Sequence, residues 1–549
     1  MMKNFNKIWI VLLAVALFAV SCDSLLDVKS ERYALPNDQM LNNPNAVLYS
    51  MNGLFLELDQ LADSYVLLGE LRGDLLDVTE NAEPYLKAIN DINISTDNPM
   101  VVPKKYYSVI NNCNYIIQTI DTSLIQHAEK VLYRDFAATK AIRAWTYMQL
   151  ALNFGSAKYY TEPILTVDDA MQEFPEMEFN ELADLLIQDL LPWRDIELPE
   201  NISLGADVNS MQLYFPVRFV LGELYLWKGE YELAANEFYQ LMVDKEYVID
   251  PMYQSRLEVE NNAFINLIYV NWRMIFDFNE TENITMIAGS TEYGKGSLMD
   301  TLISYNNEIV PSVPAMNNWN NQTYYHNADL TKEGDLRGNL GSYLDYGSSL
   351  LGNSSTSTGR KVIWKYQNLS TETSKAIIVY RVGLLYLRYA EAVNRAGKPN
   401  LAFATIKNGL SAKTMLVDSI VPPSEKFVSY DVDSAGVFYD YTNFEDVLFD
   451  VNIGVHARGC YKVNLAKDYI IPPLNSLQDS IEYVENKIVE ELALETAFEG
   501  NRFHDLMRIA IRRNNPSYLA EKVAAKHTEN SSAILTKLQD MNNWYLPKK

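Results

Sequence analysis

Residues 217–241 read Val-Arg-Phe-Val-Leu-Gly-Glu-Leu-Tyr-Leu-Trp-Lys-Gly-Glu-Tyr-Glu-Leu-Ala-Ala-Asn-Glu-Phe-Tyr-Gln-Leu. Leu221, Gly222, Tyr225, Ala234 and Phe238 fall at the spacing of a tetratricopeptide helix pair: one helix, a turn at Gly229 and a second helix. Small Gly222 and Ala234 let the two helices approach, Tyr225 and Phe238 fill the groove beside them, and Gly229 supplies the positive φ that closes the turn. A second copy lies far downstream in LLYLRYAEAVNRAGKPNLAFATIKNGL (384–410), where Gly397 makes the turn and Pro399 opens the next helix. A partial third copy starts at Ala141, with Ala144 and Tyr147 in the small and aromatic places and Phe154-Gly155 ending the helix. The units are scattered, so intervening segments must help bury their faces.

Outward from these helices the composition changes. Asn, Ser, Thr, Gly and Tyr dominate residues 279–375, as in NNWNNQTYYHNADLTKEGDLRGN (317–339). Shorter irregular stretches cover 71–104 and 421–450. Long loops in a compact domain are usually functional. At the N-terminus, Lys3 and Lys7 precede an apolar run from Ile8 to Val20, the length of an export signal and too short to span a bilayer. Ala19-Val20-Ser21-Cys22 follows it and resembles a bacterial lipobox, with Ala19 where Leu is commoner. Cys22 is then the lipidated mature N-terminus; the alternative is an ordinary secretory signal containing a Cys.

The 549 residues carry 46 Lys plus Arg against 71 Asp plus Glu, a net charge of −25, which argues against a nucleic-acid partner. Three cysteines cannot form a disulfide scaffold, and sequence leaves open whether Cys113 and Cys460 pair. The five histidines form no metal-binding pair, and no nucleophile elbow occurs. Gly289–Lys295 fits GxxxxGK, but Gly296 stands where a Ser or Thr would hold magnesium. Neither cofactor nor metal is expected, and enzymatic activity is unsupported. Glu491, Glu495 and Glu499 read as a solvated or salt-bridged helix face. Tyr293, Trp319, Tyr324 and Tyr325 are rings set among amides and hydroxyls, a setting that matches the apolar face and hydroxyl edge of a sugar, with packing under a loop as the alternative.

Several pieces taken in order resemble the SusD/RagB family of nutrient-binding outer-membrane lipoproteins. They are the lipobox with CDSLLD (22–27), GELRGD (69–74), YSVINNCN (107–114), AIRAWTY (141–147), the two helix pairs, and ETAFEGNRFHDLMR (495–508). Leu492 departs from the family, which has Arg there, at the expected cost of a surface ion pair. The resemblance implies a mainly α fold in which tetratricopeptide-like helix pairs pack against an irregular, loop-rich ligand-binding half. Its implied divisions are a signal at 1–21, an N-terminal part at 22–260 and a C-terminal part at 261–549. It further implies a non-enzymatic, surface-exposed, lipid-anchored outer-membrane protein that captures an oligosaccharide for a SusC-like TonB-dependent transporter. A peptide-binding subunit of the same architecture is the alternative, with a surface glycosidase a distant third. On family ligand positions the resemblance places Tyr293 and Trp319, with Asn320 beside it. From the N-terminal half it draws on Arg72, Asp74, Tyr85 and Asn90.

Overall fold

The computed structural model describes residues 41–200, 209–277, 280–290, 297–326, 330–347, 359–366, 374–426, 429–431, 438–460, 464–465 and 469–548. Among the described residues the helices include α1 (Pro44–Glu70), α2 (Pro84–Asn90), α3 (Pro103–Thr119), α4 (Tyr133–Phe154), α5 (Phe179–Leu190), α6 (Val217–Lys228), α7 (Tyr231–Asp244), α8 (Val313–Asn320), α9 (Val382–Arg395), α10 (Pro399–Lys407), α11 (Leu477–Glu495), α12 (Arg502–Arg512) and α13 (Pro516–Ala524). Helix exceeds strand, as the repeat spacing predicts. Strands occur as short antiparallel ribbons. The longer ones pair β2 (Ser255–Glu260) with β3 (Ala263–Val270), and β4 (Asn283–Ser290) with β10 (Ser374–Arg381). β1 (Leu76–Val78) precedes these, and β5 (Ile309–Pro311), β6 (Thr323–Tyr325), β7 (Thr331–Glu333), β8 (Tyr343–Asp345) and β9 (Lys361–Ile363) lie between β4 and β10.

Sequence chemistry fixes the helix ends. Asn43 Oδ1 accepts the Ala46 N–H at 2.9 Å and Pro44 occupies the first turn of α1. Gly155, Gly229 and Gly397 all have positive φ and stop α4, α6 and α9. Helix α4 is buried on nearly every side because it sits in the middle of the stack, against α3, α5 and α6. Gly222 lies against the ring of Phe238, and a Cβ there would overlap that ring.

The repeat units, distant in sequence, meet in space. Helix α7 of the first pair packs on α9 of the second, and α11 covers both α9 and α10. Much of the burial expected from intervening segments therefore comes from the repeats themselves. The chain closes on itself where α12 packs on α1. Among the described residues no helix is long and apolar enough to cross a membrane. Cys113 and Cys460 are both buried and unpaired.

Glu491, Glu495 and Glu499 correct the reading of a solvated face, because all three are buried. Arg337 Nη1 donates to Glu491 at 2.6 Å and to Glu495 at 2.8 Å, and its Nη2 reaches Asp335 at 2.7 Å. Arg381 bridges Glu495 and Glu499, Arg458 bridges Glu495 and Glu282, and Lys365 Nζ reaches Glu499 at 2.5 Å. Burial alone would raise the Glu495 pKa, but Arg458, Arg381 and Arg337 overcome it and hold the carboxyl at about 2. Trp272 lies under the cluster, with three guanidinium carbons 5.1 to 6.0 Å from its ring centre. The network ties α11 to loops bearing Arg337, Lys365 and Arg458, joining the helical and loop-rich halves. Leu492 is core, so no surface ion pair is lost at that position.

Candidate functional site

The loop following GELRGD meets the polar C-terminal region through backbone pairing. β1 runs antiparallel to β5, with Leu76 opposite Pro311 and Val78 opposite Ile309. Beyond the ribbon, Thr79 N donates to Glu308 O at 2.9 Å and Thr79 Oγ1 to Asn307 O at 2.6 Å. Glu83 N donates to Glu308 Oε2 at 2.9 Å. Asn306 Nδ2 holds the other oxygen of that carboxylate at 2.7 Å. The 79–83 turn is thus fixed against 306–308, and the exposed Asn81 amide donates to the Asn306 carbonyl at 3.5 Å.

Two rings stand on this surface. Tyr305 ends a single π-turn (Thr301–Tyr305) and is 77% exposed. Tyr346, 39% exposed, follows β8, and its N–H donates to Arg360 O at 3.0 Å. Arg360 joins the two segments: its guanidinium donates to Ile303 O at 2.9 Å, to Ser304 O, and to Asn307 Oδ1 at 3.1 Å. Tyr85 is half-buried nearby, its hydroxyl pushed up to about 12 by burial and by the carboxylates of Glu308, Asp63 and Glu83. The segments around the ribbon, tied together through Arg360, therefore expose two tyrosine rings and the amides of Asn81 and Asn306. Such a surface can stack on the apolar face of a ring and hydrogen-bond hydroxyls around it.

The residues expected from sequence divide sharply. Trp319 is fully buried in α8, its Nε1 donating to Leu494 O at 3.1 Å and its ring packed against Tyr343 and Phe498. This corrects the stacking role: no face of the ring is open to a ligand. Tyr324 is likewise enclosed, donating to Asp335 Oδ2 at 2.6 Å and stacked on His456. Arg72 and Asp74 are buried, Asp74 on Arg502 at 2.6 Å, and Asn90 is buried and donates to Asp77 at 3.2 Å. Asn320 is exposed, and Tyr325 and Tyr85 are half-buried. Tyr293 and Cys22 lie outside the described residues. The GELRGD loop does reach the Trp319 helix, since Ser312 caps α8 and its Oγ donates to Asp74 O at 2.5 Å.

Sequence reasoning missed Tyr305 and Tyr346. Both satisfy the criterion used for the other rings, Tyr305 in Ser304-Tyr-Asn-Asn and Tyr346 in Asp345-Tyr-Gly-Ser. The signal that separates them from Trp319 is helical spacing. Ala315 and Trp319 are four apart after a Ser-x-Pro start, which marks a buried helix stripe.

Solved structures place this architecture. A SusD superfamily protein from Bacteroides thetaiotaomicron superposes over 93% of this chain and 96% of its own, with TM-score 0.56 at 17% identity. The fold is SusD-like. A SusD-like carbohydrate binding protein from Bacteroides fragilis matches with TM-score 0.57 at 15% identity, over 87% of this chain and 88% of its own. A laminarin binding SusD-like protein matches with TM-score 0.52 at 16% identity, over 92% of this chain and 96% of its own. No protein-family model and no curated protein matches the sequence.

Proposed function

We propose that this SusD-like protein is a non-enzymatic, cell-surface glycan-binding lipoprotein that captures an oligosaccharide and delivers it to a SusC-like TonB-dependent transporter. The observation that carries this reading is the exposed Tyr305 ring, joined through Arg360 to Tyr346 and edged by Asn81, Asn306 and Asn307. Two solvent-facing rings within an amide rim suit a neutral or weakly charged sugar chain better than an apolar ligand. The structural neighbours named for carbohydrate and laminarin binding support the ligand class. Anchoring through lipidated Cys22 at the outer membrane completes the reading, because a tether raises the effective concentration of the protein at a transporter without a tight interface. Tyr85, Tyr325 and Asn320 remain proposed contributors from partly or fully exposed positions.

A glycan array on the protein lacking residues 1–22, with a peptide panel beside it, tests the ligand class. Glycan hits lost in Tyr305→Ala and Tyr346→Ala support the reading; hits confined to peptides replace it with a peptide-binding subunit. Cleaved glycan after prolonged incubation contradicts the non-enzymatic assignment. Cys22→Ser should release the protein from the membrane fraction, and full retention there argues against the anchor.

A further inference from the structure

Among the described residues eight arginines are buried, and seven of them sit on carboxylates. Arg72 is the eighth. Its Nε donates to Leu68 O at 2.7 Å and its Nη1 to Trp544 O at 3.0 Å. Its Nη2 contacts Asn153 Oδ1 at 2.5 Å and His504 Nε2 at 3.3 Å, while its carbon lies 4.3 Å from the Phe503 ring centre. Every one of these partners is neutral, His504 included, since burial, with Arg72 beside it, pushes that imidazole well below its usual range. Four contacts leave the second Nη1 proton without an acceptor among the described residues.

The surroundings do not supply the missing counter-charge. Lys526, buried next to it, donates its Nζ to Leu71 O at 2.6 Å and Leu76 O at 3.0 Å. The nearby carboxylates are engaged elsewhere: Asp74 by Arg502, Glu70 by the N–H groups of Phe498 and Gly500, and Asp77 by the Val78 N–H and the Asn90 amide, while the half-exposed Asp91 lies beside His527. Arg72 lines a solvent-open groove whose other walls are Ile92, Ile94, Lys537 and the 542–547 segment, with no carboxylate in the lining. Ile92 has φ 54°, a left-handed conformation that a β-branched residue adopts only under constraint from its surroundings. In a chain of net charge −25, both charged side chains that line this groove, Arg72 and Lys537, are cationic.

We propose that the groove between Arg72, Lys537 and the C-terminal 542–547 segment is an anion-binding site that takes the carboxylate or phosphate group of a small ligand. It shares no lining residue with the Tyr305–Tyr346 face and stands apart from the function proposed for that face. Arg72 supplies a fixed charge and a free N–H from the floor, and Lys537 a mobile point charge at the rim. The overall acidity of the protein does not extend to the charged side chains lining this groove.

The test is calorimetric titration at low ionic strength with sodium glucuronate, sodium phosphate and glucose as probes. Glucuronate should bind and glucose should not. Reversing the rim charge with Lys537→Glu should raise the dissociation constant by about fivefold or more, with unchanged melting. Arg72→Lys, which keeps the charge and loses the fork, should weaken binding in whatever fraction folds. Phosphate that displaces glucuronate assigns the site to the anionic group alone; phosphate that fails to displace it assigns the site to a sugar acid. No saturable binding of either anion at millimolar concentrations overturns the proposal and leaves Arg72 as a clamp on the C-terminal segment. Equal affinity in Lys537→Glu, or equal binding of glucose, overturns it as well.

Discussion

Trp319 and Tyr305 lie fourteen residues apart, each followed by two asparagines, and the fold treats them oppositely. Trp319 is closed in by Tyr343, Phe498 and the end of α11, whereas Tyr305 projects from a π-turn with 77% of its surface open. The same contrast separates the two halves. On the α11 side, charges that look solvent-facing in sequence are buried in an ion-pair network. On the β1–β5 side, polar segments hold aromatic surface out to solvent. Local polarity thus does not decide exposure here. What decides it is whether the segment is helical and which stripe of the helix a residue occupies.

The largest effects should come from the buried side of this comparison. Glu495 accepts from Arg337, Arg381 and Arg458, so Glu495→Gln leaves three guanidinium groups short of charge and should cost about 3–5 kcal/mol in denaturant unfolding. Near-parental stability would show that the network is a surface feature after all. The same carboxyl gives a pH signature. Its folded pKa, about 2, lies below the unfolded value of roughly 4.3, so its contribution is present above that value and is lost as pH falls from there toward 2. The parent's melting temperature should fall over this window, and the acid-induced fall should be smaller in Glu495→Gln if that variant folds.

Trp319→Ala should cost about 3–5 kcal/mol as a cavity in the core. A loss of binding with unchanged melting would instead restore it to the ligand face. Gly222→Leu comes next, at about 1–3 kcal/mol, because the added side chain must displace the Phe238 ring. A variant as stable as the parent would contradict the helix contact on which the repeat assignment rests. Smallest in stability is Tyr305→Ala, expected within about 0.5 kcal/mol of the parent.

The helix pairs were legible because their evidence is periodic and local. Gly222, Gly229, Ala234 and Phe238 each do in the structure what their spacing requires. The α11 network was not legible, because its partners come from Arg337, Lys365, Arg381 and Arg458, spread over more than a hundred residues that meet only in the folded chain. The site was half legible. The polar character of 279–375 and the importance of the loop after GELRGD both point to the β1–β5 junction. The particular rings did not follow, since nothing in Ser304-Tyr-Asn-Asn outranks Asn318-Trp-Asn-Asn until α8 claims Trp319 for the core.

The most direct test is binding per folded molecule for Tyr305→Ala and Trp319→Ala, measured by calorimetry against a glycan identified on the array, with melting recorded for both. The account predicts that Tyr305→Ala melts like the parent and binds at least about 2 kcal/mol more weakly. It also predicts that the folded fraction of Trp319→Ala keeps its affinity while its melting temperature falls. Full affinity in Tyr305→Ala, together with lost affinity and unchanged melting in Trp319→Ala, would contradict it.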